Sequence, residues 1–166
     1  MVALVNIGAR YSSINILKGG KSTFTGDVPV GGRDITEALT RDLGVSAEEA
    51  DQLKFGETVE GIDNDQVQMA LGPATDALIE EIHYALSFFW TAATDEKIDA
   101  LYLSGGSAGV PQLCERLAER VEAPVEIVNP FIRTNFAVGV DAVKMKSRGS
   151  EFAVAMGLAV RRPGDK

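Results

Sequence analysis

Val2, Leu4, Asn6 and Gly8 alternate with Ala3, Val5 and Ile7, so both faces of the opening segment are largely apolar, the pattern of a strand buried within a sheet. Ser12 to Leu17 follows with Ile14 and Ile16 on one face, and Gly19-Gly20 supplies a turn into a third strand over Ser22 to Val28. The turns between these segments are too short for crossover helices, so the pattern predicts an antiparallel meander. From Gly31-Gly32 the period changes. Ile35, Leu39 and Leu43 recur at spacing four and Gly44 closes the helix. Ser46 with Glu49 three residues on has the form of a capping box and starts a second short helix that ends at Gly56.

Residues 56–65 are polar and read as loop. A long amphipathic helix follows with Leu71, Leu78, Ile82, Ala85 and Phe89 on one face, and Pro73 is expected in its first turn, where a missing N–H is tolerated. The last third alternates. Ile98 to Leu103 reads as a strand, Pro111 to Val121 as a helix opened by its proline, and Val125 to Val128 as another strand. Asn129 to Gly149 reads as irregular, Phe152 to Val160 as a short apolar helix, and residues 161–166 as a frayed tail. The order βββ-α-α-α-β-α-β-α predicts an α/β layer built on a mixed sheet.

The chain has 166 residues and a formal charge of −8, with 45% apolar and 24% charged residues. That length and composition fit one globular domain able to bury a core without disulfides or metal. The acidic balance argues against nucleic acid, whose phosphates need a basic face. Cys114 stands alone, which permits no internal disulfide and fits a reducing compartment. The longest stretch free of Asp, Glu, Lys and Arg, Ala100 to Cys114, is short and broken by glycines and Pro111, so direct membrane insertion is not expected. The N-terminus lacks the basic start of a signal peptide, and a cytoplasmic location is the default expectation.

Two glycine turns follow apolar strands. Asn6-Ile7-Gly8-Ala9 is a tight turn whose backbone could hold a phosphate, with a short polar side chain placed to reach a metal-bound water; a plain hairpin is the alternative. Leu103-Ser104-Gly105-Gly106-Ser107-Ala108-Gly109 links a strand to a helix, the geometry in which bare backbone meets an anionic or flat ligand; an ordinary β–α turn is the alternative. It is neither a P-loop nor G-x-G-x-x-G. His83 without nearby cysteines makes no metal site, and Cys114 reads as a small core residue. Glu48, Glu49, Asp51, Glu57 and Glu60 read as a solvated face. Phe88-Phe89-Trp90 cannot share one helix face, so at least one aromatic must face another element or a partner.

Taken in order, several segments resemble the actin/Hsp70-like ATPase superfamily, and within it the type IV pilus assembly family PilM, a relative of the division protein FtsA. They are Ala3-Leu-Val-Asn-Ile-Gly-Ala9, Phe24-Thr-Gly-Asp-Val28 with Gly31-Gly32, Glu49-Ala-Asp-Gln-Leu-Lys54, Leu103-Ser-Gly-Gly-Ser-Ala108, Val128-Asn-Pro-Phe131 and Ala153-Val-Ala-Met-Gly-Leu-Ala159. The resemblance implies an actin/ribonuclease H-like layered mixed sheet forming the second lobe, subdomains IIA and IIB. Residues 1–34 and 96–162 would form the sheet layer and 35–95 a helical insertion. It covers only the second of the family's two halves, and the partner of this half would be the first.

The resemblance also implies a nucleotide site. Asn6, Gly8 and Ala9 match the second phosphate loop, Asp51 and Lys54 the acid and lysine that meet adenosine, and Gly105, Gly106 and Ser107 the adenosine loop. Ala155 to Gly157 matches the second connecting helix. ATP with Mg²⁺ is implied for the complete protein, with weak or absent binding by this half alone. Lys54→Ala is expected to leave folding nearly intact while reducing affinity. Two residues depart from the family pattern: Asn6 replaces an acid near the expected magnesium, and Asp51 replaces a glutamate. Both weaken the case for hydrolysis. The implied role is a scaffold at the inner membrane, the first half taking the cytoplasmic tail of the membrane protein PilN, among other pilus assembly proteins. Alternatives are an actin-like ATPase or phosphotransferase lobe active only with a second lobe, and a self-assembling filament module.

Overall fold

The computed structural model describes residues 1–92 and 97–162, and of residues 90–92 the backbone alone. Five strands form one sheet in the order β3-β2-β1-β4-β5. β1 (Val2–Ile7), β2 (Ser12–Lys18) and β3 (Lys21–Val28) make the antiparallel meander, while β4 (Ala100–Ser104) and β5 (Val125–Ile127) add in parallel on the other side of β1. The mixed sheet expected from the pattern is therefore present. Its register puts Ala3, Val5, Ile7, Ile14, Ile16, Leu101 and Leu103 on one face, each at most 2% exposed.

That face is covered by α1 (Gly32–Leu43) and α3 (Asn64–Ala92), with α2 (Ala47–Lys54) against α1 and α4 (Leu113–Val121) against α3. Ile35, Leu39, Leu78, Ile82 and Leu86 join the sheet residues in one buried cluster. The opposite face carries Leu4, Asn6, Ser13, Asn15, Thr25, Tyr102 and Ser104, bordered by the start of α6 (Ala153–Ala159). No residue of α6 is buried, and Val154 and Leu158 are each 60% exposed.

The sequence pattern misplaces several boundaries. α3 starts at Asn64, so Pro73 lies inside it rather than in its first turn. The acceptor orphaned by the proline belongs to Met69, and both residues are exposed, so the lost hydrogen bond falls on the solvent side where it costs least. α4 starts two residues after Pro111, because Gln112 adopts a left-handed conformation (φ 62°) before the first helical turn. Within the segment expected to be irregular, α5 (Ala142–Ser147) forms because Asp141 caps it, accepting from the Val143 and Lys144 amides at 3.1 and 3.0 Å. A short 3₁₀ turn over Gly149–Phe152 leads into α6. Of the aromatic triplet, Phe89 is buried and Phe88 is exposed, while the Trp90 side chain lies outside the described residues, as do residues 163–166 of the tail. Cys114 is half-buried, and burial, with Glu115 beside it, pushes its thiol up, away from reactive thiolate.

Leu103 and Ile82 are both fully buried, on opposite sides of the contact between sheet and α3. Truncating either to alanine should cost roughly 2–5 kcal/mol of stability in denaturant unfolding, since each leaves a cavity in one continuous core.

Candidate nucleotide cleft

Three chain segments meet where the sheet ends. The carbonyls of Gly8 and Ala9, in the β1–β2 turn, accept hydrogen bonds from the Gly32 and Arg33 amides at the start of α1, at 2.9 and 2.7 Å. The Ile7 carbonyl accepts from the Ser107 amide at 3.3 Å. Such contacts need bare backbone. A Cβ on Gly31 would lie 2.6 Å from the Gly8 oxygen, one on Gly32 1.8 Å from Ser107 Oγ, and one on Gly105 2.3 Å from the Ile7 oxygen. Gly105 is also at φ +95°, a conformation L side chains rarely adopt. The first amides of α1 are thus spent on the turn, so any anion bound here is held by other groups.

Beside this junction lies a cleft of about 460 Å³. Ala9, Asp51, Lys54, Gly106 and Ser107, singled out from sequence, all line it. Gly8 and Gly105 do not; they lie in the junction that shapes its floor. Asn6 stands apart, on the open face of the sheet, where its Nδ2 donates to Ser104 Oγ at 3.1 Å.

Lys54 forms the inner wall. It is 5% exposed, and its ammonium donates to Thr36 Oγ1 at 2.9 Å, to the Gly32 carbonyl at 3.4 Å, and to Asp51 Oδ1. Three donors meet three acceptors, so the buried charge is satisfied. These bonds tie α2 to the start of α1 and orient the Asp51 carboxylate, which is itself exposed toward the cleft. Lys54→Ala would therefore cost stability as well as affinity, against the expectation from sequence: the lysine is a strut of the cleft wall, and removing it leaves Asp51 unoriented. The Phe55 ring, 40% exposed with Lys54 Nζ 5.0 Å from its centroid, gives the cleft a flat apolar side.

Sequence reasoning missed the outer rim. Arg33 and Arg148 line the cleft, Arg148 in a two-pronged pair with Glu151 at 2.7 and 2.5 Å. The 3₁₀ turn carrying Glu151 is fastened to the glycine loop, because the Gly105 amide donates to the Ser150 carbonyl at 2.8 Å. Asn129 holds this strap from behind, donating to the Lys146 carbonyl and lying where a Cβ on Gly149 would sit. The Asn-Pro-Phe segment carried the signal for that contact, but only the fold reveals its target. Among the described residues no group of three or more His, Cys, Asp or Glu is placed to hold a metal ion. His83 lies away from the cleft beside Arg120, its Nε2 3.2 Å from the guanidinium, and burial, followed by the Arg120 charge, lowers its pKa.

A family model for the type IV pilus assembly protein PilM matches residues 1–163. This chain belongs to the PilM family. A solved PilM–PilN type IV pilus biogenesis complex superposes on it with TM-score 0.80 at 27% identity, over 96% of this chain and 45% of that one. The cell division protein FtsA of Bacillus subtilis is 26% identical across 78% of this chain and 34% of its own length. Two solved structures support the actin-like fold alone: the ethanolamine utilization protein EutJ of Carboxydothermus hydrogenoformans (TM-score 0.66, 18% identity, 95% of this chain and 47% of that one) and MamK bound to AMPPNP (TM-score 0.63, 17% identity, 76% and 49%). The chain thus spans a third to a half of the length of these relatives.

Two expectations follow for this PilM-family chain. Gly105→Ala should destabilise by about 2 kcal/mol or more, whereas Gly106→Ala, with no atom within 4 Å of its added Cβ, should stay within about 0.5–1 kcal/mol in thermal unfolding. Because the native fold depresses the His83 pKa, the unfolded chain takes up this proton first; stability should decline as pH falls through the histidine range, and His83→Gln should flatten that decline.

Proposed function

We propose that this chain is the C-terminal, nucleotide-contacting half of a PilM-type scaffold for pilus assembly, and that its cleft takes the adenosine end of ATP. The observation that carries this reading is the convergence of Ala9, Asp51, Lys54, Gly106 and Ser107, from three separated segments, on one cleft. The groups suit a nucleoside. Phe55 offers a flat wall for a base, the Asp51 carboxylate accepts hydrogen bonds from ribose hydroxyls, and Gly106 allows backbone approach without a side chain. Arg33 supplies cationic charge at the rim, where Arg148 is already paired with Glu151.

The fit is to the nucleoside rather than to the metal. Asn6 brings no charge and bonds Ser104 on the other face of the sheet, so the Mg²⁺ that accompanies ATP would be held from beyond this cleft. Bound ATP brings phosphate charge whose clamping needs a second lobe. The open sheet face and the uncovered apolar α6 support the view that the other half of the complete protein packs there. Nucleotide would then act by closing two halves and shifting the affinity for partners. We further propose that a PilN-like inner-membrane protein binds through the first half, placing the complete protein at the cytoplasmic side of the inner membrane with other pilus assembly proteins. No helix among the described residues is long and apolar enough to cross a membrane.

Calorimetric titration of Mg-ATP into the complete protein tests the site. Gly106→Val, which fills the cleft from a position with open space, and Asp51→Asn should each weaken binding by about tenfold or more. The 166-residue chain alone should bind far more weakly. Undiminished affinity in Gly106→Val would remove the cleft from consideration.

A further inference from the structure

Phe88, an exposed member of the aromatic triplet, does not line the nucleotide cleft. It stacks edge-on with Tyr84, ring centroids 4.9 Å apart at 82°, and the two are 59% and 62% exposed. They border a groove of about 500 Å³ between α3 and β3, lined also by Phe24, Val28, Ala85 and Glu81. A pair of exposed aromatics at adjacent helical turns, facing a groove of this size, is unusual for a surface that meets only water.

The groove runs beneath a backbone edge. β3 is an end strand, paired with β2 on one side and with no strand on the other among the described residues, so one row of its N–H and C=O groups is unpartnered within the sheet. Gly26 lies within β3 and lines the groove, and the Phe24 ring stands 3.1 Å from where its Cβ would be. A chain laid along β3 at the ordinary interstrand spacing of about 4.8 Å would drop alternate side chains toward Tyr84 and Phe88.

We propose that this edge and groove take an extended, basic segment of a partner protein as an added strand. Charge decides the chemistry of the occupant. Glu81 borders the groove, Asp27 stands exposed on the opposite face of the same edge with Ser13 donating to it at 2.8 Å, and these are the charged residues lining the groove. An added strand places side chains on both faces of its edge, so an acid waits on each side for lysine or arginine. The chain's net charge of −8 draws such a segment at longer range. Apolar residues alternating with basic ones complete the match.

A displayed library of random short peptides, panned on the 166-residue chain, tests this. Enriched peptides should alternate apolar residues with Lys or Arg, and their affinity should fall about tenfold or more in Phe88→Asp and in Glu81→Lys, both exposed positions that leave the core untouched. N-methylation of a selected peptide should abolish binding at alternate residues only, those whose N–H groups face β3. Failure to enrich any peptide sensitive to Phe88→Asp would overturn the proposal, as would uniform tolerance of N-methylation. Sedimentation showing a dimer that Phe88→Asp dissolves, without peptide binding, would assign the groove to a second copy and overturn it as well.

Discussion

The carbonyls of Ile7, Gly8 and Ala9 project from the end of β1 into two other segments, and the rest of the molecule is arranged around the hydrogen bonds they accept. Through them the central strand fixes where α1 begins and where the loop after β4 turns. Backbone can approach backbone this closely only where side chains are missing, which is why Gly31, Gly32 and Gly105 occupy the contacts. The arrangement is cooperative. Each bond is modest in net terms, about 1 kcal/mol, but three loops hold one another, and none can shift without unpairing buried amides in the others.

The junction brings the functional surface with it. Once α1 starts against the β1–β2 turn, Gly32 and Thr36 stand where Lys54 can reach both, and the lysine draws α2 onto α1. Asp51 is then oriented toward the space left above Gly106 and Ser107. The 3₁₀ turn with Glu151 closes the other end through the Gly105 amide. A cleft built from five chain segments is therefore the outcome of a few backbone contacts plus one satisfied buried charge. The same geometry keeps Asn6 on the far side of the sheet, bonded to Ser104 and away from the region suited to a nucleoside.

Much of this was legible along the chain because the signals were local. The meander follows from alternation and from Gly19-Gly20, and α2 from a capping box in which Ser46 Oγ accepts from the Glu49 amide at 3.2 Å. The glycine motifs marked both turns of the junction. What stayed hidden depended on tertiary direction. Pro73 hides the start of α3 because its orphaned acceptor faces outward, and nothing in the spacing reveals that orientation. Nothing in the charged stretch around Lys54 shows that Thr36 and Gly32, from another segment, bury its ammonium. Asn129 and Glu151 lie in stretches without periodicity, so only the folded chain shows that they support the glycine loop.

The central claim is that the junction makes a nucleoside cleft, and mapping amide chemical shifts of the isotopically labelled 166-residue chain during titration with Mg-ATP tests it most directly, because the method tolerates weak binding. The account predicts shifts concentrated at Asp51, Phe55, Gly106 and Ser107, with the amides of Asn15, Thr25 and Tyr102 on the open sheet face undisturbed. Shifts clustered on that open face, with the cleft residues silent at saturating nucleotide, would contradict it.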